Sequence, residues 1–390
     1  MKKGINMHLR SLHIKRFRAL EDFQVDKLGH VNLIVGKNNS GKSTVLEALQ
    51  IYANNAQLTT LEKLAQSHNE KWRSDDELEA TSELPFKSFF SNRKFPTQDD
   101  CGIEIGDGSI DNLVKIEHGF YIEENILQRT PGDEERLLVR RKRVFKRDLN
   151  DREKDSMGET FFIQVGNENP VMVHPSNRRR IRPALITHKN KPCSYIPTQF
   201  ISQDELADEW DKIGLTEAQE FVKKALQIVN PDFEDIQFVR IEDVEQKTQR
   251  IYLSRTAIIK TRGENEPIPL SSMGDGILRV LQLFLKLFSA KDGFLLIDEF
   301  ENGLHYSVQK EVWTLVFDMA KKHNIQIFAT THSWDCIESF AKVAYEKNET
   351  EGVLFRIGRS ARASDHGKVI ATVFDEENLF NIVQSDVEVR

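Results

Sequence analysis

Hydrophobic and polar positions along the chain change period several times, and each change marks an element. Leu9, Leu12 and Ile14 alternate with polar neighbours over residues 8–16, which predicts a half-buried strand, and a second short strand is expected at 23–28. Val31–Val35 is a short apolar run and reads as a buried strand. Val45, Leu46, Leu49 and Tyr52 then fall at helical spacing, and 59–66 is a further helical segment. From Cys101 to about residue 186 the pattern predicts strands at 102–105, 112–123, 136–145, 160–165 and 170–173. Gly106-Asp107-Gly108 and His118-Gly119 are turn signals among them.

Residues 194–200 read as a strand and 202–210 as a helix. Thr216 with Gln219 fits a capping box before the helical face of Ala218, Phe221, Val222, Ala225 and Leu226, and Asn230-Pro231 stops that helix. Strands are expected at 235–241 and 249–260. An apolar stripe of Ile277, Leu278, Leu281, Leu285 and Phe288 predicts a helix, interrupted by Arg279 and Lys286. Phe294–Ile297 reads as a second buried strand and 308–320 as a helix. Residues 325–333 form a strand with a polar tip, and strands at 352–357 and 368–374 precede a helix at 376–383.

The order predicts an α/β fold: a mixed, mostly parallel sheet, an inserted antiparallel β lobe and a small helical subdomain. The expected segments are 8–53 and 233–390 for the two parts of the head, 54–200 for the inserted helical and β lobe, and 201–232 for the helical subdomain. A chain of 390 residues with 39% hydrophobic content has room for two or three packed lobes. Net charge is −7, so any nucleic-acid contact must come from local patches. Two such patches exist: Arg140, Arg141, Lys142, Arg143, Lys146 and Arg147, and Arg178, Arg179, Arg180 and Arg182. Either could track phosphates, and either could be a solvated face balanced by Asp133, Glu134, Glu135 and Asp151. Cys101, Cys193 and Cys336 are odd in number and far apart, which points to a reducing compartment and to no zinc site. No apolar segment follows MKKGINMHLR and no run could span a bilayer, so a cytoplasmic protein without a membrane partner is expected.

The chemistry lies at the breaks between elements. Gly36, Lys37, Asn38, Asn39, Ser40, Gly41, Lys42, Ser43 and Thr44 stand between a buried strand and a helix and fit the phosphate-binding P-loop. Gly36 and Gly41 free the backbone to turn N–H groups toward phosphate oxygens, Lys42 is placed to reach the β- and γ-phosphates, and Ser43 to ligate Mg²⁺. ATP and Mg²⁺ are therefore the expected ligands. Asp298 and Glu299 end the second buried strand, where ligands bind in parallel sheets. Asp298 suits the outer shell of Mg²⁺ and Glu299 a base for the attacking water. His332, in the Thr330-Thr331-His332-Ser333 tip, is a candidate γ-phosphate sensor. Leu270-Ser271-Ser272-Met273-Gly274-Asp275-Gly276 opens a helix and offers a hydroxyl and N–H groups to an anion.

These four motifs in this order resemble the ABC-type ATPases, and within them the branch shared by the SMC proteins, the Rad-type repair ATPases and the OLD-like AAA ATPases. The Asp298-Glu299-Phe300-Glu301-Asn302-Gly303-Leu304-His305 form resembles the OLD-like group. The resemblance implies a homodimer or higher homo-oligomer of ATPase heads. Lys42, Ser43, Asp298, Glu299 and His332 would come from one copy, while Ser272 and Gly274 close the γ-phosphate from the other. Met273 stands where transporters have glycine, and Gln199 is the candidate for the glutamine that links nucleotide to the helical subdomain. No long heptad coiled coil separates the halves, which argues against an SMC protein proper or its Rad-type repair relative. Fewer than about sixty residues follow His332, short of the Toprim nuclease domain of OLD nucleases. The resemblance thus implies a stand-alone ATPase that controls a separate effector protein, a nuclease or toxin, in bacterial anti-phage defence. The alternative is a DNA-repair ATPase that binds DNA or RNA directly.

Overall fold

Parallel strands buried on both faces read as continuous apolar runs, and here such runs form the centre of the sheet that carries the P-loop. The computed structural model describes residues 9–70, 86–96, 101–129, 135–145, 157–173, 190–244, 251–347, 350–365, 367–374 and 381. The chain divides into two compact units. One comprises Met1–Ser11, Val25–Leu46 and Lys191–Arg390, the other Leu12–Gln24 and Glu47–Asn190.

In the first unit, β3 (Val31–Val35), β13 (Phe294–Ile297) and β14 (Gln326–Thr330) are buried at every position. They lie in a six-stranded sheet with β9 (Cys193–Ile196), β15 (Gly352–Arg359) and β16 (Val369–Phe374), in the order β16-β15-β3-β14-β13-β9. All neighbours are parallel except β15 and β16. Asn32 is tolerated inside β3 because its amide closes on Gly29 (Gly29 N–H to Oδ1, 2.8 Å; Nδ2 to the Gly29 carbonyl, 2.9 Å) and reaches the Ile327 carbonyl at 3.1 Å. The parallel register sets Ile297 beside Ala329 and Thr330 beside Ile34. The ends of β3, β14 and β13 therefore open at one edge of the sheet.

Helices α3 (Gln203–Lys212), α4 (Glu217–Val229), α5 (Asp275–Ser289), α6 (Tyr306–Lys322) and α7 (Trp334–Glu346) supply the rest of this core. Trp313 of α6 is fully buried and stacks on Phe300 at 3.7 Å between ring centroids. That stack anchors the turn after β13. A separate antiparallel sheet joins β10 (Phe233–Val244), β11 (Ile251–Thr261) and β12 (Ile268–Pro269).

The second unit is built on a seven-stranded antiparallel sheet. It runs β2 (Leu20–Val25), β1 (Leu12–Phe17), β4 (Gly102–Gly106), β5 (Leu113–Arg129), β7 (Gly158–Val165) and β8 (Val171–Val173), with β6 (Glu135–Val144) also on β5. Phe86, Phe89, Phe90 and Phe161 pack one aromatic cluster in its core. Arg18 is held between Glu47 (2.8 Å) and Glu70 (3.1 Å), on α1 (Lys42–Ala53) and after α2 (Leu58–Ser67).

The expected α/β class, with a mostly parallel sheet, an antiparallel β lobe and a helical segment, is the observed one. Several details differ. The first two strands, expected with the P-loop segment 8–53, lie in the antiparallel sheet, β1 pairing with β4 and β2 flanking β1. The second runs Leu20–Val25 rather than 23–28, since Leu20, Phe23 and Val25 are its buried positions. The strand expected at 194–200 ends at Ile196, before Pro197, which has no N–H to give a ladder. Helix α7 was not expected. Ser333 caps it, accepting the Cys336 N–H at 3.4 Å, and Cys336, Ile337, Phe340, Ala341 and Ala344 form its buried face. The capping box is not made: Gln219 accepts the N–H of Leu215, one residue before the cap, at 2.9 Å, and the Thr216 hydroxyl donates to the Ile213 carbonyl at 2.6 Å. The helix expected at 376–383, apart from Asn381, lies outside the described residues, as do Lys146, Arg147 and the whole cluster from Arg178 to Arg182.

Candidate functional site

The P-loop conformation follows from its glycines. Gly36 has φ +152°, and a Cβ there would meet the Ile357 carbonyl oxygen at 2.4 Å and Ser40 Oγ at 2.8 Å. Gly41 has φ +106°, and Asn39 sits at φ +63°, a region that asparagine tolerates. Asn38 and Asn39 are exposed, Thr44 is half-buried, and Ser40 is buried with a hydroxyl that has no partner among the described residues. Helix α1 starts at Lys42 with no acidic residue in its first turn, so its positive end is not offset by its own side chains.

Lys42 is buried, and its ammonium donates to the carbonyls of Gly36 (2.8 Å) and Lys37 (3.2 Å). Burial lowers its pKa, opposed by the charges of Asp298, Glu299 and Glu301. Three carboxylates thus act on the cation at the mouth of the loop. Ser43 Oγ donates to Asp298, 3.2 Å from Oδ2 and 3.3 Å from Oδ1. Two further hydroxyls converge there: Thr330 Oγ1 donates to Oδ1 at 2.6 Å and Thr198 Oγ1 to Oδ2 at 3.3 Å. A hydroxyl and a carboxylate oxygen side by side are the hard donors that Mg²⁺ takes, with water and substrate phosphates completing its shell. Among the described residues no group of three His, Cys, Asp or Glu could form an all-protein cage. The donor set therefore fits a metal shared with a phosphate ligand, and Ser43 and Asp298 are the residues that would hold it.

Glu299 carries φ +49°, in the left-handed region where a residue with a Cβ is uncommon. Its backbone is fixed on both sides, the N–H donating to Thr330 Oγ1 at 2.8 Å and the Phe300 N–H to the Thr330 carbonyl at 2.9 Å. The carboxylate lies 3.9 Å from His332 Nε2, with both side chains partly open to solvent. Glu301 Oε1 accepts the N–H groups of His332 (2.8 Å) and Ser333 (3.1 Å) and so fastens the tip of β14.

The P-loop, Asp298, Glu299 and His332 thus meet at one sheet edge. Ser272 and Gly274 do not join them. They lie in a 3₁₀ turn (Leu270–Met273) and at the entry of α5, exposed, with no hydrogen bond to the P-loop among the described residues. Gly274 has φ +84° and open space where a Cβ would stand. The motif instead abuts the turn after β13: a Cβ at Gly276 would lie 3.0 Å from the Gly303 carbonyl oxygen. Gln199 is exposed in the loop after β9, next to Thr198.

Sequence reasoning missed Thr198, Thr330, Glu301 and Arg279. A lone threonine or glutamate at a strand end or in a loop carries no signal of its own. Arg279 did carry one, as a charge inside an otherwise apolar helical stripe. It is fully buried, and burial pushes its pKa down to about 10 against the pull of Glu301, Asp298, Glu299 and Tyr195.

Residues 31–335 match the family described as "AAA domain, putative AbiEii toxin, Type IV TA system". A protein of Helicobacter pylori named ATP/GTP phosphatase is 23% identical over 359 residues, covering 87% of this chain and 89% of its own length. Among solved structures, the head of an SMC protein bound to the C-terminal winged-helix domain of ScpA has a TM-score of 0.45 at 14% identity, covering 96% of this chain and 99% of the other. The SMC head domain from Thermotoga maritima has a TM-score of 0.41 at 13% identity, covering 95% and 99%.

Proposed function

The chain belongs to the AAA-domain family whose model spans residues 31–335, and from that premise we propose that it hydrolyses ATP to ADP and phosphate at the edge where β3, β13 and β14 end. The observation that carries this reading is the meeting of the Ser43 hydroxyl with the Asp298 carboxylate beside the buried Lys42. The H. pylori relative's name, ATP/GTP phosphatase, agrees with it. Lys42 turns its ammonium from the loop carbonyls to the β- and γ-phosphates, and loop N–H groups take the remaining oxygens. Mg²⁺, when bound, offsets phosphate charge and orients the terminal phosphate. Glu299 accepts a proton from water as the water oxygen attacks the γ-phosphorus. The bond from that phosphorus to the β,γ-bridging oxygen breaks, and ADP leaves with the electron pair. His332 lies close enough to Glu299 to hydrogen-bond the γ-phosphate from the same side. Phosphate release from Mg-ATP by the purified chain tests the reading. Lys42→Ala is expected to weaken nucleotide binding by about tenfold or more, since a buried point charge is lost, as titration with a fluorescent ATP analogue would read. Phosphate release at the wild-type rate by that variant would overturn the assignment of this site.

The wider role follows as part of the same proposal. Nucleotide closes two heads on each other, with Ser272 and Gly274 of one facing the P-loop of the other, and hydrolysis reopens them. The closed pair controls a separate effector, a nuclease or toxin, in bacterial anti-phage defence. The family's description, which names a toxin and a toxin–antitoxin system, supports that direction. The second reading, direct DNA or RNA binding in repair, is disfavoured by the first basic cluster. Arg141 pairs with Glu123 at 2.9 Å, Lys142 with Glu124 at 3.4 Å and Arg143 with the buried Glu117 at 2.9 Å. Each of these three faces a carboxylate of β5, and Glu117 also holds Lys115 at 2.6 Å. Reversal of Arg141 and Arg143 to Glu is therefore expected to leave nucleic-acid retention at low salt, with ATP present, unchanged. A marked loss together with a flatter salt dependence would restore the direct-binding reading.

A further inference from the structure

The strongest unexplained group in the first unit is Arg279. Its guanidinium is fully buried on α5, the helix that opens within the 270–276 motif, at Asp275. Among the described residues it pairs with no carboxylate side chain. One terminal nitrogen donates to the Pro197 carbonyl at 3.0 Å, and the other donates to the carbonyls of Asp298 and Glu299, both at 2.7 Å. The planar fork thus ties α5 to the end of β9 and to the turn that presents Glu299. A cation is costly to bury, and this one sits where its donors fix two consecutive carbonyls of a strained turn. The second of them belongs to Glu299 itself, whose φ is +49°.

We propose that Arg279 is the positioning residue for Glu299. It holds the Asp298–Glu299 peptide in the orientation that lets the Glu299 N–H reach Thr330 Oγ1 (2.8 Å) while the side chain faces His332 (3.9 Å). Without the fork, the Asp298 carbonyl loses its donor and the Glu299 carbonyl keeps only the Asn302 N–H at 3.0 Å, and the left-handed turn relaxes toward an ordinary φ that swings the carboxylate off the attacking water. Among the described residues Arg279 makes no hydrogen bond to the P-loop or to Ser43, so binding of the triphosphate is separate from its action. Lysine would deliver its charge without the two-carbonyl fork.

The inference rests on the hydrolase reading, and the experiment separates the two. Phosphate release and ATP-analogue affinity are measured for the unmodified chain, for Arg279→Lys, for Arg279→Met, for Glu299→Gln and for Glu299→Gln with Arg279→Lys. Arg279→Lys should lower kcat by about tenfold or more with KM and analogue affinity within about twofold of wild type. In the Glu299→Gln background the same change should cost almost nothing further, because the group it positions is already gone. A purely structural arginine would give equal losses in both backgrounds. If Arg279→Met does not fold, Arg279→Lys decides alone. Wild-type kcat in Arg279→Lys, an equal loss in both backgrounds, or a loss confined to analogue affinity would each overturn the proposal and leave the hydrolase reading standing. Absence of phosphate release from the unmodified chain would overturn both.

Discussion

Glu299→Gln is expected to leave nucleotide affinity near wild type and to slow phosphate release by about two orders of magnitude or more, the range for loss of a positioned base. The substitution keeps the size and the hydrogen-bonding shape of the side chain. It leaves the left-handed turn, the N–H to Thr330 Oγ1 at 2.8 Å and the carbonyl to Arg279 at 2.7 Å untouched, because all of these are backbone contacts. On the proposed mechanism it removes the group that takes the proton from water, while Lys42, Ser43 and Asp298 would still hold the phosphates and the metal, so binding is expected to persist. A fluorescent ATP analogue reads affinity and single-turnover phosphate release reads chemistry. Turnover at the wild-type rate would remove Glu299 from the catalytic role.

Ser272→Arg is expected to abolish steady-state ATPase activity while leaving nucleotide binding by a single copy nearly intact. Ser272 and Gly274 are exposed and make no hydrogen bond to the P-loop of their own chain among the described residues. A P-loop encloses phosphates from one side only, so an intact γ-phosphate site needs a second surface. The open space at Gly274, at φ +84°, leaves room for a ligand's oxygens against its backbone N–H. An arginine at 272 would put a long side chain in that contact. Mixing Ser272→Arg with Lys42→Ala should restore part of the activity, because a mixed pair keeps one composite site with neither defect. The mixture is to be assayed at several ratios and concentrations once subunit exchange has been shown. Exchange without any return of activity would exclude two independent composite sites. Wild-type activity in Ser272→Arg alone would exclude the partner contact altogether.

The line between what was legible in the residue order and what was not follows the range of the forces involved. The sequence by itself determined the local machinery. The glycines of the P-loop, the apolar runs of β3, β13 and β14 and the helical stripe of α5 are short-range patterns, and each dictates its own conformation wherever the chain places it. Parallel strands buried on both faces then bring their polar ends to one edge, so Lys42, Ser43, Asp298, Glu299 and His332 could be named together as candidates in advance. Tertiary structure alone decided which polar groups hold them. Thr198 and Thr330 are 132 residues apart and meet only through the Asp298 carboxylate, one oxygen each. Glu301 reaches the β14 tip across 31 residues, and Arg279 fastens carbonyls 82, 19 and 20 residues away. Such bonds are set by packing, since a buried polar group takes whichever partner the fold leaves beside it and no spacing rule encodes the choice. The first two strands show the same limit. Their alternation predicts one buried face, yet which sheet they join depends on the edge offered by β4, a strand some ninety residues further on.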